Sequence, residues 1–140
     1  MERRSDMGTI VNDADKIRVL VVEDEFFIAE WVAESLSDLG FAVEIASNAR
    51  DALHRIESTS VDVLFTDINL PGGMDGAALA RRARQFLPKL PVIYASARVA
   101  TLEPKARVSG AVFVRKPYEP EMIGRLIAEV TRPIPVAVPA

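Results

Sequence analysis

The stretch Ile17-Arg18-Val19-Leu20-Val21-Val22-Glu23-Asp24-Glu25 sets the terms for the rest of the chain. Its first six residues form an apolar run with one polar break, the pattern of a strand buried on both faces of a sheet. The run then stops in three adjacent carboxylates. Like charges crowded at a strand end repel, and each raises its neighbours' pKa unless a positive charge sits among them. A bound hard cation relieves that repulsion, and donors that are all oxygen suit Mg²⁺. The question is therefore which other residues reach the same place.

Working outward, four more short apolar runs follow, at 41–46, 61–66, 91–95 and 111–114. All but the run at 41–46 are rich in Val, Ile and Phe with few polar breaks; that one alternates, as an edge strand does. Helical patterns separate the runs. Over 25–39, Ile28, Val32, Ser35, Leu36 and Leu39 share a face at spacings of three and four, with Trp31 expected at the core edge and Gly40 as the terminator. A second helix is expected from Ser47-Asn48, a third from Asp75-Gly76 to Pro88, and a last one from about Glu119. The fourth segment, 101–109, contains Pro104 and is expected to be short or irregular. Strands alternating with helices in this way predict an α/β fold, an open, doubly wound, five-stranded parallel sheet with right-handed crossovers.

Composition narrows the class. With 140 residues there is room for one core, expected over 16–131, with a flexible arm at 1–15 and a Pro-rich tail at 132–140. A formal charge of −3 gives no general attraction to nucleic acid or to an anionic membrane. There are no cysteines, which excludes disulfides, thiolate zinc sites and cysteine nucleophiles. The N-terminal residues lack the apolar core of a signal peptide, and no apolar run approaches the ~20 residues of a membrane span. A cytoplasmic location is the expectation.

In sheets of this kind, ligands bind beyond the carboxyl ends of the strands. The residues there are Glu23 and Asp24 after the first strand, Asp67 after the third, Ser96 after the fourth and Lys116 after the fifth. Each has a role in transferring a phosphoryl group to a carboxylate. Asp67 is the candidate nucleophile. Asp24 directly, and Glu23 through water, would hold Mg²⁺. Lys116 supplies a point charge for a phosphate oxygen, and the Ser96 hydroxyl a hydrogen bond for another. None of the five is informative alone; their convergence is.

With those residues in view, the chain from 17 to 130 resembles the receiver domain of two-component response regulators. The resemblance is carried by Glu23-Asp24, by Asp67 with Asn69 two places on, by the Pro71…Asp75-Gly76 loop, by Ser96-Ala97 and by Lys116-Pro117. It implies the flavodoxin-like strand order 2-1-3-4-5, phosphorylation of Asp67 by a sensor histidine kinase or phosphotransfer protein, and metal ligation by Asp24, Asp67 and the Asn69 backbone carbonyl. It also implies a Lys116–Pro117 bond of the cis form. A switch follows: Ser96 moves toward the acyl phosphate, and Phe113 fills the vacated space. The surface read by a downstream protein would then be the fourth helix, fifth strand and last helix, a face through which many such domains also dimerise. The loop at 71–76 looks one residue longer than the family's common pattern.

Because the chain ends after its last helix, the expectation is a stand-alone phosphoryl acceptor with no separate enzymatic output. A pseudo-receiver, folded alike but never phosphorylated, is the alternative. A flavodoxin-like nucleotide binder is a third reading, disfavoured because Glu23-Asp24-Glu25 would repel a phosphate where that class needs backbone N–H groups. Phe26 falls away from the apolar stripe of the first helix, so it either docks a kinase or folds over neighbouring apolar atoms.

Overall fold

The computed structural model describes residues 15–97 and 106–132. The expected runs form β1 (Arg18–Val22), β2 (Ala42–Ala46), β3 (Val63–Asp67), β4 (Val92–Ser96) and β5 (Val112–Arg115). Between and after them lie α1 (Phe26–Asp38), α2 (Ala49–Ser58), α3 (Gly76–Phe86) and α4 (Pro120–Val130). The strands make one parallel sheet in the order β2-β1-β3-β4-β5, as expected.

Side chains on a strand alternate between its faces, and here both faces are covered. Leu20, Val22, Leu64, Val92 and Tyr94 pack with Leu53 and Ile56 of α2 and Leu79 and Ala83 of α3. Their neighbours Val19, Val21, Val63, Phe65 and Ile93 pack with Val32 and Leu36 of α1 and Ile123 and Ile127 of α4. That double burial is why the central strands read as unbroken apolar runs. β2 lies at an edge and is mostly half-buried, matching its alternating pattern.

The helix starts follow local chemistry. Asn48 caps α2 by accepting from the Asp51 N–H at 2.8 Å, and Asp75 caps α3 by accepting from the Ala78 N–H at 2.8 Å. At the end of α1, Leu39 is the capping residue and Gly40 follows it in the left-handed region at φ +104°. Two expectations for α1 are corrected. Leu39 and Trp31 are each 50% exposed. The buried stripe is the narrower Ala29, Val32 and Leu36, because one helix face against a sheet covers little more than an i, i+3, i+7 row. Leu39 lies past the last turn, where its Cδ1 atom comes so near α4 that a Cβ at Gly124 would sit 2.7 Å from it.

The expected fourth helix falls largely outside the described residues. Its described end, 106–109, is a turn with Val108 buried. The expectations for the arm and the tail also lie outside the described residues, apart from Asp15 and Arg132. Among the described residues no helix is long and apolar enough to cross a membrane.

Candidate functional site

Parallel pairing brings the strand ends level. Val22 pairs with Thr66, Asp67 with Ala95, and Ser96 with Arg115. Sheet-like hydrogen bonding continues one step further: the Glu23 N–H reaches Ala46 O, the Ile68 N–H reaches Ala95 O, and the Lys116 N–H reaches Ser96 O. The first residues beyond the strands are thus held by backbone bonds, so the side chains they carry are fixed by the sheet itself.

Lys116 stands at the centre. Its Nζ donates to Glu23 Oε1 at 2.9 Å and to Asp67 Oδ2 at 3.0 Å. Glu23 and Asp67 are both buried, 4% and 8% exposed, while Asp24 is exposed. The remaining oxygens of the buried pair accept from backbone: Glu23 Oε2 from the Glu25 N–H at 3.1 Å, and Asp67 Oδ1 from the Asn69 N–H at 3.3 Å. Carboxylate oxygens of Glu23, Asp24 and Asp67 all lie within 4.8 Å of one another. Glu25 is the N-cap residue of α1, although its side chain makes no capping bond.

The charges do not balance. One ammonium faces three carboxylates. Burial raises the Glu23 pKa above its usual 4.5, and the bond to Lys116 lowers it less than burial raises it. Burial pulls the Lys116 pKa down, but bonds and charges from both Glu23 and Asp67 more than offset this and hold it above the ordinary lysine range. An ammonium shared between two buried carboxylates is thereby locked on, yet it neutralises only part of the local charge.

The loop after Asp67 returns over the site. Gly72 and Gly73 turn it at φ +93° and +87°, and the Gly76 N–H closes it onto Ile68 O at 2.7 Å. A Cβ at Gly76 would lie 2.1 Å from the Asp67 carbonyl oxygen. Only glycine admits that approach, and it clamps the backbone of the candidate nucleophile.

Ser96 is buried at the end of β4. Phe113 is half-buried on β5, its ring centroid 5.1 Å from that of Tyr94 at a tilt of 39°, with the Arg107 guanidinium 5.9 Å from the ring centre. Phe26 is 67% exposed at the start of α1 and meets the more exposed Phe27 edge to face at 5.4 Å. The Lys116–Pro117 peptide is cis.

Three contributors escaped sequence reasoning. Gly76 appears there only in the loop and at the start of the third helix. Tyr118 is buried two residues after Lys116, with its ring edge-to-face on Phe65 at 5.4 Å. Burial, then the Glu23 charge, push its hydroxyl up to about 12. Tyr94 reads as one more apolar position of β4. Only the phenol oxygens of the two tyrosines, in otherwise apolar strand or post-strand context, signal that partners must be found.

Comparison with known proteins agrees with this geometry. The model of the response regulator receiver domain matches residues 19–128. The chain is similar to the sensor histidine kinase RcsC of Escherichia coli, 36% identical over 97 residues, which is 69% of this chain and 10% of that protein. It is also similar to the response regulator MprA of Mycolicibacterium vanbaalenii, 31% identical over 122 residues, 85% of this chain and 52% of that protein. The chain therefore spans between a tenth and about half the length of these relatives. In fold it matches a receiver protein of Sinorhizobium medicae with a TM-score of 0.79 at 24% identity, covering 84% of this chain and 96% of that one. A receiver domain protein of Methanospirillum hungatei gives 0.75 at 29% identity, covering 84% and 94%. On the sheet order, the converging strand ends and a family match over most of its length, the chain belongs to the response regulator receiver domain family.

Proposed function

We propose that this chain accepts a phosphoryl group on Asp67 from a sensor histidine kinase or a phosphotransfer protein, in a Mg²⁺-dependent step, and that the acyl phosphate switches a protein-binding surface around Phe113. The observation that carries this is the Lys116 ammonium bonded at once to Glu23 and Asp67 in a carboxylate cluster with charge left over. The donor set fits a hard cation: every candidate ligand is an oxygen, and one ammonium cannot neutralise three carboxylates. Asp24 and Asp67 with the Asn69 carbonyl would ligate it, and Glu23 would act through water. Bound there, Mg²⁺ supplies neutralisation of the incoming phosphoryl oxygens.

The chain's own groups do the rest. An Asp67 carboxylate oxygen forms the new bond to phosphorus. The P–N bond of the donor phosphohistidine breaks, and the imidazole leaves with that electron pair and takes up a proton. Lys116 transfers one of its hydrogen bonds to a phosphoryl oxygen, remaining protonated because its pKa is raised. The Ser96 hydroxyl donates to another phosphoryl oxygen. Because Phe113 has no hydroxyl to satisfy, either of its positions can be filled without stranding a polar group. Hydrolysis of the acyl phosphate by water resets the site. The kinase that supplies the group sets a cytoplasmic location.

Phosphoramidate, a small P–N donor, tests the chemistry without a partner. With Mg²⁺ it should add one phosphoryl group to the native chain and none to Asp67→Asn; equal labelling of both would refute Asp67 as acceptor. Phe26, exposed with Phe27 beside the site, is proposed to dock the phosphodonor. Phe26→Ala should slow transfer from a cognate kinase and leave phosphoramidate labelling unchanged. An unaltered transfer rate removes the docking role.

A further inference from the structure

β4 places a tyrosine in the middle of an apolar strand, and Tyr94 is fully buried. A buried phenol is unfavourable unless its oxygen finds a partner. The Tyr94 hydroxyl oxygen accepts from the Val108 N–H at 3.3 Å. Val108 lies in the turn 106–109 and is itself buried against the same side of the sheet as α2 and α3. The turn is also tied to α3. Arg81 Nη1 donates to Ala106 O, and Arg84 Nη2 donates to Ser109 O at 2.9 Å, while Arg84 Nε is anchored on Leu90 O at 2.7 Å. Two side chains of α3 and one of β4 therefore converge on four residues that belong to no helix or strand.

That turn leads into β5, where Phe113 pairs in register with Tyr94. Their rings lie 5.1 Å apart, and Arg107 reaches back from the turn to the Phe113 ring. Tyr94 and Ser96 are two residues apart on one strand, so they project from the same face. Ring contact joins Tyr94 to Phe113, and the hydroxyl joins it to Val108. We propose that Tyr94 is a positioning residue that ties the Phe113 ring to the turn 106–109, so that ring and turn shift as one unit. Its use in signalling, when Ser96 responds to phosphorylation at Asp67, rests on the function proposed above; the tie itself does not.

A core tyrosine without this role would loosen the whole sheet when altered, whereas a tie loosens only what it holds. Tyr94→Phe in the full chain keeps the ring and removes the oxygen. Amide hydrogen exchange and the Phe113 ring resonances, both followed by NMR, distinguish the cases. Exchange at Val108 should accelerate about fivefold or more, as loss of one hydrogen bond implies. The Leu64 and Ile93 amides should hold their rates, and the Phe113 ring resonances should move with Val108. Unchanged Val108 exchange overturns the tie, as does equal acceleration at Val108, Leu64 and Ile93, or a loosened Val108 with Phe113 unmoved. Labelling by phosphoramidate is read in parallel on both proteins. Its absence from both would refute phosphorylation, while the exchange result would still decide the tie.

Discussion

The carboxyl-end site and the β4–β5 edge lie one residue apart in the sheet, yet they are held in different ways. At the site, charged side chains from three strand ends meet each other: Lys116 on Glu23 and Asp67. At the edge, side chains meet backbone: Tyr94, Arg81 and Arg84 on the turn 106–109. The first arrangement concentrates unbalanced charge and so invites a cation and a phosphoryl group. The second spends its charged groups, Arg81 and Arg84, on backbone carbonyls and links a ring to a turn, which suits a part that reports a change made elsewhere. Chemistry and readout should therefore fail separately when mutated.

Lys116→Ala should break the site most severely. Removing the charged donor poised for developing phosphoryl charge should slow labelling by 10²–10³-fold, about 3–4 kcal/mol, and Mg²⁺ should bind at least as tightly because a competing cation is gone. Fluorescence or calorimetric titration with Mg²⁺ alongside the labelling rate checks both halves. Next, Gly76→Ala drives a Cβ toward the Asp67 carbonyl and should destabilise the fold by about 3 kcal/mol, read from urea unfolding. Phe113→Ala should give the opposite profile from Lys116→Ala. It should lose about 2 kcal/mol of stability for a half-buried ring, with labelling by phosphoramidate within about twofold of native. A large labelling defect there would erase the distinction between the regions.

The smallest expected effect is on pH dependence. Glu23 has its pKa raised in the folded chain, so the folded state holds that proton more tightly than the unfolded one. Stability without Mg²⁺ should then fall as pH rises through and just above 4.5, and Glu23→Gln should flatten that slope. Urea midpoints measured on both proteins across that window decide it. An equal slope in the two would mean that the Lys116 bond fully compensates the burial of Glu23.

The same contrast explains what could be read from the residues alone. Strands buried on both faces, capped helices and strand-end carboxylates are local signals, and each occurs where its pattern indicates: Asn48 and Asp75 cap helices, and Glu23, Asp67 and Lys116 converge. Trp31 and Leu39 were misplaced because helical spacing gives a face but not its width. The close approach at Gly76 is not legible in the residues, because it depends on how closely a loop returns to Asp67. Tyr94 was unreadable for a related reason. Its partner, Val108, lies 14 residues away and contributes a backbone N–H that any residue except proline would offer.

The central claim is that Asp67 is the phosphoryl acceptor in a cation-dependent site. Intact-mass spectrometry after incubation with acetyl phosphate tests it most directly, on native chain, Asp67→Asn and Asp24→Asn, with Mg²⁺ and with a chelator. One phosphoryl group on the native chain with Mg²⁺, none with the chelator, none on Asp67→Asn and a strongly reduced fraction on Asp24→Asn is the predicted pattern. An unlabelled native chain, or one labelled equally with Asp67 replaced, would contradict it.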